Sequence, residues 1–359
     1  MSATPRPLAL PLSVLDLAPV AKGSTPADAL NQALDLARHA ERLGYHRYWV
    51  AEHHNMPGIA SSSPAVLLAH VGAGTETIRI GSGGVMLPNH TPLVIAEQFG
   101  MLEALHPGRV DLGIGRAPGT DPRTAQALRR SVEGLSIDEF PQHVVQLQGF
   151  FNGTFADDHP YRGITAVPAL GYPPDLWLLG SSDYSAHLAG LLGLPFSFAH
   201  HFSAANTMPA LAQYRKSFRP SDRLDAPHAM VAVSVLCAPT EEEARWLAGP
   251  SALSFVLLRS GRPGPVPTPQ EAADYPYTPT DRAIVADRMT SSIIGDPTQV
   301  REQLEALVER TGADELMVVT MAHGHEDRVR SFELLAETWT AVARTTSAPD
   351  DRDAIERAS

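Results

Sequence analysis

Residues Ile78–Asp121 read IRIGSGGVMLPNHTPLVIAEQFGMLEALHPGRVDLGIGRAPGTD. An apolar run from Ile78 to Leu87 gives way to an amphipathic one from Pro92 to Leu105. His106-Pro107-Gly108 then turns the chain into a second apolar run, Val110 to Gly115. Strand, helix and strand joined by short turns form one unit of a parallel sheet, because antiparallel neighbours need no crossover helix.

The pattern continues in both directions. Upstream it predicts a strand over Leu8 to Leu15 and a helix from Pro26 to Leu43, capped by Thr25 and ended by Gly44. A strand over Tyr45 to Ala51 and a helix from Pro64 to Gly72 complete that side. Downstream, 121–151 reads as two helices and 152–174 as a loop with a short hairpin. Strands follow over Leu176 to Leu179, Pro195 to Ala199, Ala229 to Ala238 and Glu315 to Met321. The intervening helices are Tyr184 to Leu192, Ala204 to Phe218, Glu241 to Leu258 and Pro297 to Glu309, and the last runs from Asp327 to Ala343. Eight strands, each followed by helix, predict an α/β fold, a (β/α)8 TIM barrel with insertions, as one domain over 1–345. Residues 260–280 hold six prolines. That density argues against helix or strand, and such an irregular stretch in a compact domain reads as a lid-like insertion. Residues 346–359 read as a polar tail.

Composition narrows the function. The chain has 359 residues, 43% hydrophobic and 19% charged, with a net charge of −12. An acidic surface repels phosphate backbones, so nucleic acid is not an expected partner. The single cysteine, Cys237, allows no internal disulfide and no multi-thiolate metal site. No stretch approaches the roughly 18 apolar residues of a membrane span, and MSATPRPLALPLSVLDL lacks a secretory pattern. A cytoplasmic protein with no membrane partner is the expectation.

In a barrel of this kind chemistry gathers where the strands end. The second strand ends in Glu52-His53-His54. Two adjacent histidines point opposite ways if the strand continues, so at most one, a group that titrates near neutrality by nature, faces the barrel mouth. The alternative is a loop histidine in a structural hydrogen bond. Gly81-Ser82-Gly83-Gly84 on the third strand marks either tight packing at the rim or close approach to a flat ligand. Arg116, after the fourth strand, suits a phosphate or carboxylate, with a surface salt bridge as the alternative. Gly113-Ile114-Gly115-Arg116-Ala117-Pro118-Gly119 is not a dinucleotide fingerprint, because its third glycine comes one residue late. The fifth strand runs into Ser181-Ser182-Asp183-Tyr184-Ser185, which is either an ordinary helix cap or an anion site at a helix N-terminus. His200 and His201 end the sixth strand. With His53 and His54 they raise a metal-hydrolase reading. That reading is set aside, because the first strand has no histidine and the last runs into Met321-Ala322-His323.

Three segments together, YHRYWVAEHHNM from Tyr45, the Ile78–Asp121 stretch, and WLLGSSDYSAHLAGLLGLPFSFAHHF from Trp177, resemble the bacterial luciferase-like family of flavin-dependent monooxygenases. The resemblance covers most of the chain. It implies reduced FMN as bound reactant and attack of dioxygen on it to give a flavin hydroperoxide. It places His53 at an active-site histidine of the family and Gly83–Gly84 at a non-prolyl cis peptide against the flavin ring. Arg116, Ser182 and Ser185 fall on phosphate-binding positions, Ser181 stands where a luciferase has glutamate, and Tyr184 lies in the same turn. Two departures stand out. Gly115 replaces a reactive cysteine, and a further phosphate-binding arginine has no clear counterpart, Arg129 or Arg130 being the candidates.

No nicotinamide site is visible, so a separate flavin reductase is expected to supply reduced FMN. The expectation is a two-component monooxygenase, with no metal, acting on an apolar or aromatic small molecule. Met56, Ile59, Tyr184, Phe202 and Tyr275 in the mouth loops support that substrate class. A homodimer is implied by the family. The alternatives are a deazaflavin-dependent hydride-transfer enzyme and a catalytically idle flavin-binding subunit.

Overall fold

A computed structural model describes residues 10–128 and 139–346. In chain order the strands are β1 (Leu12–Asp16), β2 (Arg47–Val50), β3 (Arg79–Met86), β4 (Val110–Gly115), β5 (Asp175–Gly180), β6 (Phe196–Ala199), β7 (Ala229–Cys237), β8 (Ser292–Gly295) and β9 (Glu315–Val319). All pair in parallel. Strands β1 to β7 and β9 close a ring through the β6–β7, β7–β9 and β1–β9 ladders. This is the expected (β/α)8 barrel. The addition is β8, which pairs only with the last four residues of β7, Ser234–Cys237.

The helices are α1 (Pro26–Arg42), α2 (Pro64–Ala73), α3 (Pro92–Leu105), α4 (Pro122–Leu128), α5 (Phe140–Asn152) and α6 (Asp183–Leu191). They continue with α7 (Thr207–Ser217), α8 (Glu241–Arg259), α9 (Pro269–Asp274), α10 (Pro279–Thr290), α11 (Pro297–Thr311) and α12 (His325–Thr346).

Strand alternation sorts the apolar residues into two cores. Val14, Tyr48, Val50, Leu316 and Val318 face outward into the shell between strands and helices. Their neighbours Leu15, Trp49, Ala51, Met317 and Val319 face inward with Trp177 and Met230. Both faces of β1, β2 and β9 are therefore buried, which is why such segments read as nearly unbroken apolar runs. Trp49 and Trp177 meet edge-on at 5.3 Å inside the barrel, a contact worth about 0.5–1.5 kcal/mol beyond burial.

The end of the barrel where strands begin is closed by charge. Arg47 donates to Asp111 at 2.8 Å and to Glu315 at 3.0 Å. Asp111 also accepts from Arg79 and from the Trp49 indole N–H, and Ser13 donates to Glu315. Burial would raise the Glu315 carboxyl, but His228, Arg47 and Ser13 hold it below the usual carboxylate range.

The structure departs from the sequence reading after β7. Residues 260–280 hold the helix α9 and the start of α10, where neither helix nor strand is expected. Pro269 and Pro279 start these helices rather than breaking them. Each follows a threonine N-cap, Thr268 or Thr278, closed by a capping box to Glu271 or Asp281. Proline suits the first helical position, whose N–H has no partner in any case. The hairpin expected in 152–174 is absent; the segment is turns between α5 and β5. Arg129 and Arg130, and the tail over 347–359, lie outside the described residues.

Candidate active site

The strand ends open into a cavity of about 350 Å³. It brings together His53, Gly83, Gly84, Arg116, Ser181, Ser182 and Ser185, which the sequence places on four different strand ends. Tyr184, expected with them, does not line it; exposed on the first turn of α6, it has its ring 4.1 Å from the Arg116 guanidinium carbon. Met56, Ile59 and Phe202 also face the cavity. Tyr275 does not line it; its hydroxyl takes a hydrogen bond from Arg262 at 3.0 Å.

The β5–α6 turn is arranged for an anion. Ser182 occupies the N-cap position in extended conformation, yet its hydroxyl caps no N–H of the helix. The ordinary-cap reading therefore fails for Ser182, and the first turn of α6 keeps N–H groups to offer. Ser185 is buried on the cavity wall. Arg116 stacks on Tyr184, and no carboxylate among the described residues pairs with it. The surface-salt-bridge alternative is thus not what holds this arginine.

For the glycines, packing and access coincide. The Gly83–Gly84 peptide is cis, and the β3–β4 register shifts between Gly83 and Val85. A Cβ on Gly84 would lie 2.8 Å from the Gly113 carbonyl oxygen, and one on Gly83 would lie 2.6 Å from Leu15. A Cβ at Gly84 meets fixed backbone and one at Gly83 a leucine methyl, and with glycine at both positions bare backbone forms this part of the wall.

Glu52 organises the loops around it. The buried carboxylate takes hydrogen bonds from the Met86 N–H at 3.0 Å, and from the rings of His54 and His90 at 2.9 Å each. Burial opposes the charge, but His90, His54 and Met86 together keep the carboxyl below its ordinary range. One buried carboxylate thereby ties the loop after β2 to the loop after β3.

His53 differs from the near-neutral base expected of it. Burial pushes its pKa down to about 4, against the pull of Glu52, so the ring is uncharged at neutral pH. Its Nδ1 is buried and has no hydrogen-bond partner. His54 is bound to Glu52 and His200 Nδ1 lies 2.7 Å from Thr207 Oγ1. His201 Nδ1 donates to the Ala232 carbonyl at 3.0 Å.

His201, raised from sequence only for a metal site, also lines the cavity, as do Trp49, Ser254, Phe255 and Arg288, which the sequence does not single out. Trp49 carried a detectable signal, since strand alternation beside Tyr48 turns it inward. Ser254, Phe255 and Arg288 carried none. They come from within α8 and from near the end of α10, not from a loop that follows a strand.

A sequence model described as luciferase-like monooxygenase matches residues 11–315. A Bacillus subtilis protein, YvbT, is 51% identical over 328 residues, covering 91% of this chain and 96% of that protein. An Escherichia coli luciferase-like monooxygenase is 48% identical over 322 residues, covering 90% and 95%. The Bacillus subtilis N-acetyl-S-alkylcysteine monooxygenase is 34% identical over 337 residues, covering 93% and 99%. Among solved structures, apo-MsnO8 superposes with a TM-score of 0.84 at 38% identity, covering 92% of this chain and 98% of that one. The oxygenating constituent of 3,6-diketocamphane monooxygenase from Pseudomonas putida, in complex with FMN, has a TM-score of 0.71 at 19% identity, covering 93% and 98%. At that identity the last shows the shared fold alone.

Proposed function

This chain belongs to the luciferase-like monooxygenase family and is an oxidoreductase; from that premise we propose that it is the oxygenating component of a two-component monooxygenase using reduced FMN. Reduced FMN, once bound, supplies the electrons with which dioxygen places one oxygen atom on a substrate and the other in water. The observation that carries the reading is the convergence of Arg116, uncompensated by any described carboxylate, with the open N-terminus of α6 beside a wall of bare glycine backbone.

The residues present suit this cofactor. Arg116, Ser182, Ser185 and the first N–H groups of α6 would hold its phosphate, an anion at a helix N-terminus. At Gly83 and Gly84, where a Cβ would run into Leu15 or the Gly113 carbonyl, the wall is bare backbone that a flat ring system would approach closely. Leu15, Trp49, Met317 and Val319 keep the floor of the cavity apolar, which excludes water from the reacting centre. His53, uncharged at neutral pH and on the cavity wall, is the residue that would move a proton there.

The finer assignments rest on the same premise. Pro263, Gly264 and Val266 border the cavity, which supports a lid made from the 260–280 segment. The helices α2 and α3 expose Val66, Val94, Met101 and Leu105, an apolar face suited to a homodimer. A separate cytoplasmic reductase would deliver the reduced flavin.

The test is reduced-FMN binding and dioxygen uptake with a nicotinamide-driven flavin reductase. Arg116→Ala is expected to weaken FMN binding about ten- to a hundredfold, the scale of one lost charge-assisted contact. Equal FMN affinity in wild type and Arg116→Ala would sink the assignment. Tight binding of a reduced deazaflavin without oxygen uptake would point instead to hydride transfer.

A further inference from the structure

The flavin reading employs one guanidinium of the cavity and leaves a second unexplained. Arg288 stands on α10 and borders the same cavity. Its Nη1 donates to the His201 carbonyl, and no carboxylate among the described residues pairs with it. Phe255 presents its ring 5.4 Å from the guanidinium carbon. Beside it on α8, the Ser254 hydroxyl is buried with no hydrogen-bond partner. Burial lowers the Arg288 pKa from its ordinary value, the mark of a cation deprived of water. Ser254 and Arg288 both belong to the lining of this cavity, and a cation without a carboxylate beside a hydroxyl without a partner is destabilising unless a ligand meets them.

We propose that the substrate is an apolar carboxylic acid whose carboxylate is bound by Arg288 and Ser254. Two features select this occupant. A guanidinium matches a carboxylate through paired N–H groups, and a serine hydroxyl adds a third donor. The surroundings, Phe202, Phe255, Leu258 and Met321, suit a hydrocarbon body. His201 limits the placement. With its Nδ1 committed to the Ala232 carbonyl, its Nε2 offers only a lone pair, which repels a carboxylate and leaves the anion to Arg288. The inference rests on the flavin reading in one respect: it assigns the cofactor's phosphate to Arg116.

The experiment is calorimetric titration of the full-length protein with octanoate and with octanamide, its uncharged counterpart of equal length, alongside FMN and inorganic phosphate. Octanoate is expected to bind at least tenfold more tightly than octanamide. Arg288→Gln should abolish that preference, Ser254→Ala should reduce it several-fold, and Arg116→Gln should leave it intact. Equal affinity for octanoate and octanamide in the wild type overturns the proposal, and that comparison does not depend on any variant folding. A preference that survives Arg288→Gln but vanishes in Arg116→Gln overturns it too. So does loss of FMN or phosphate binding in Arg288→Gln alone, which would give Arg288 to the cofactor. Octanoate selectivity through Arg288 in a protein that fails to bind FMN would uphold this inference while defeating the flavin reading.

Discussion

Where the strands begin, Arg47 is held between Asp111 and Glu315, and Arg79 shares Asp111 with it. Where the strands finish, Arg116 rests on an aromatic ring, Arg288 on a backbone carbonyl, and neither meets a described carboxylate. The same residue type is thus closed off at one end of the barrel and left available at the other. Paired charge at the base serves the fold, because a compensated buried ion has nothing to offer a ligand. Unpaired charge at the mouth is a stability cost that a ligand can relieve. The division matches the general behaviour of such barrels, whose base carries stability and whose mouth carries chemistry.

The largest expected effect attacks the base. Asp111→Ala leaves Arg47, Arg79 and the Trp49 N–H without their shared acceptor. Removing one partner of a buried pair costs about 3–5 kcal/mol, so the urea midpoint should fall sharply while the folded fraction still binds FMN. A loss of FMN affinity without loss of stability would erase the distinction between the two ends.

The next effect belongs to the mouth and depends on pH. Burial depresses the His201 pKa to about 4, whereas an unfolded histidine takes up its proton near 6.5. Between those values the unfolded chain binds more protons than the folded one, so stability falls as the pH drops from neutrality towards 4. A shift of that size corresponds to about 3 kcal/mol. His201→Gln should flatten the dependence by about that amount in denaturation series between pH 7 and 4. An unaltered slope would mean that His201 does not remain neutral in the fold.

The smallest effect tests the segment between the two ends of the chain's last crossover. Thr278→Ala removes the side-chain cap of α10, at a cost of about 1 kcal/mol. Hydrogen exchange should quicken in the first turn of α10 and leave the barrel strands unchanged. Since Arg288 lies near the other end of that helix, octanoate binding should weaken slightly or not at all.

Much of the site was legible because its parts are local. Gly83 and Gly84 stand out against an apolar strand, Arg116 follows a strand directly, and the serine turn precedes a helix within four residues. Each assignment needed only a strand end and its next few residues. The reading of 260–280 failed because prolines were weighed as breakers, when a preceding threonine and an acid three residues after it turn each one into a helix start. The four residues of β8, SIIG, are too short to announce themselves, and they form a strand only because the tail of β7 offers an unpaired ladder. The near-neutral expectation for His53 failed because desolvation is a property of its surroundings, not of the tripeptide Glu52-His53-His54.

By itself the sequence determined the barrel, the order of its strands, and which loops reach its mouth. Those follow from hydrophobic periodicity and turn chemistry, which act between residues close along the chain. Only the tertiary structure decided which charges are neutralised. Arg47 meets Glu315 across 268 residues, while Arg116 and Arg288 meet no described carboxylate. The reason is that pairing and desolvation depend on distances through space, and the hydrophobic pattern that folds the chain carries no information about them.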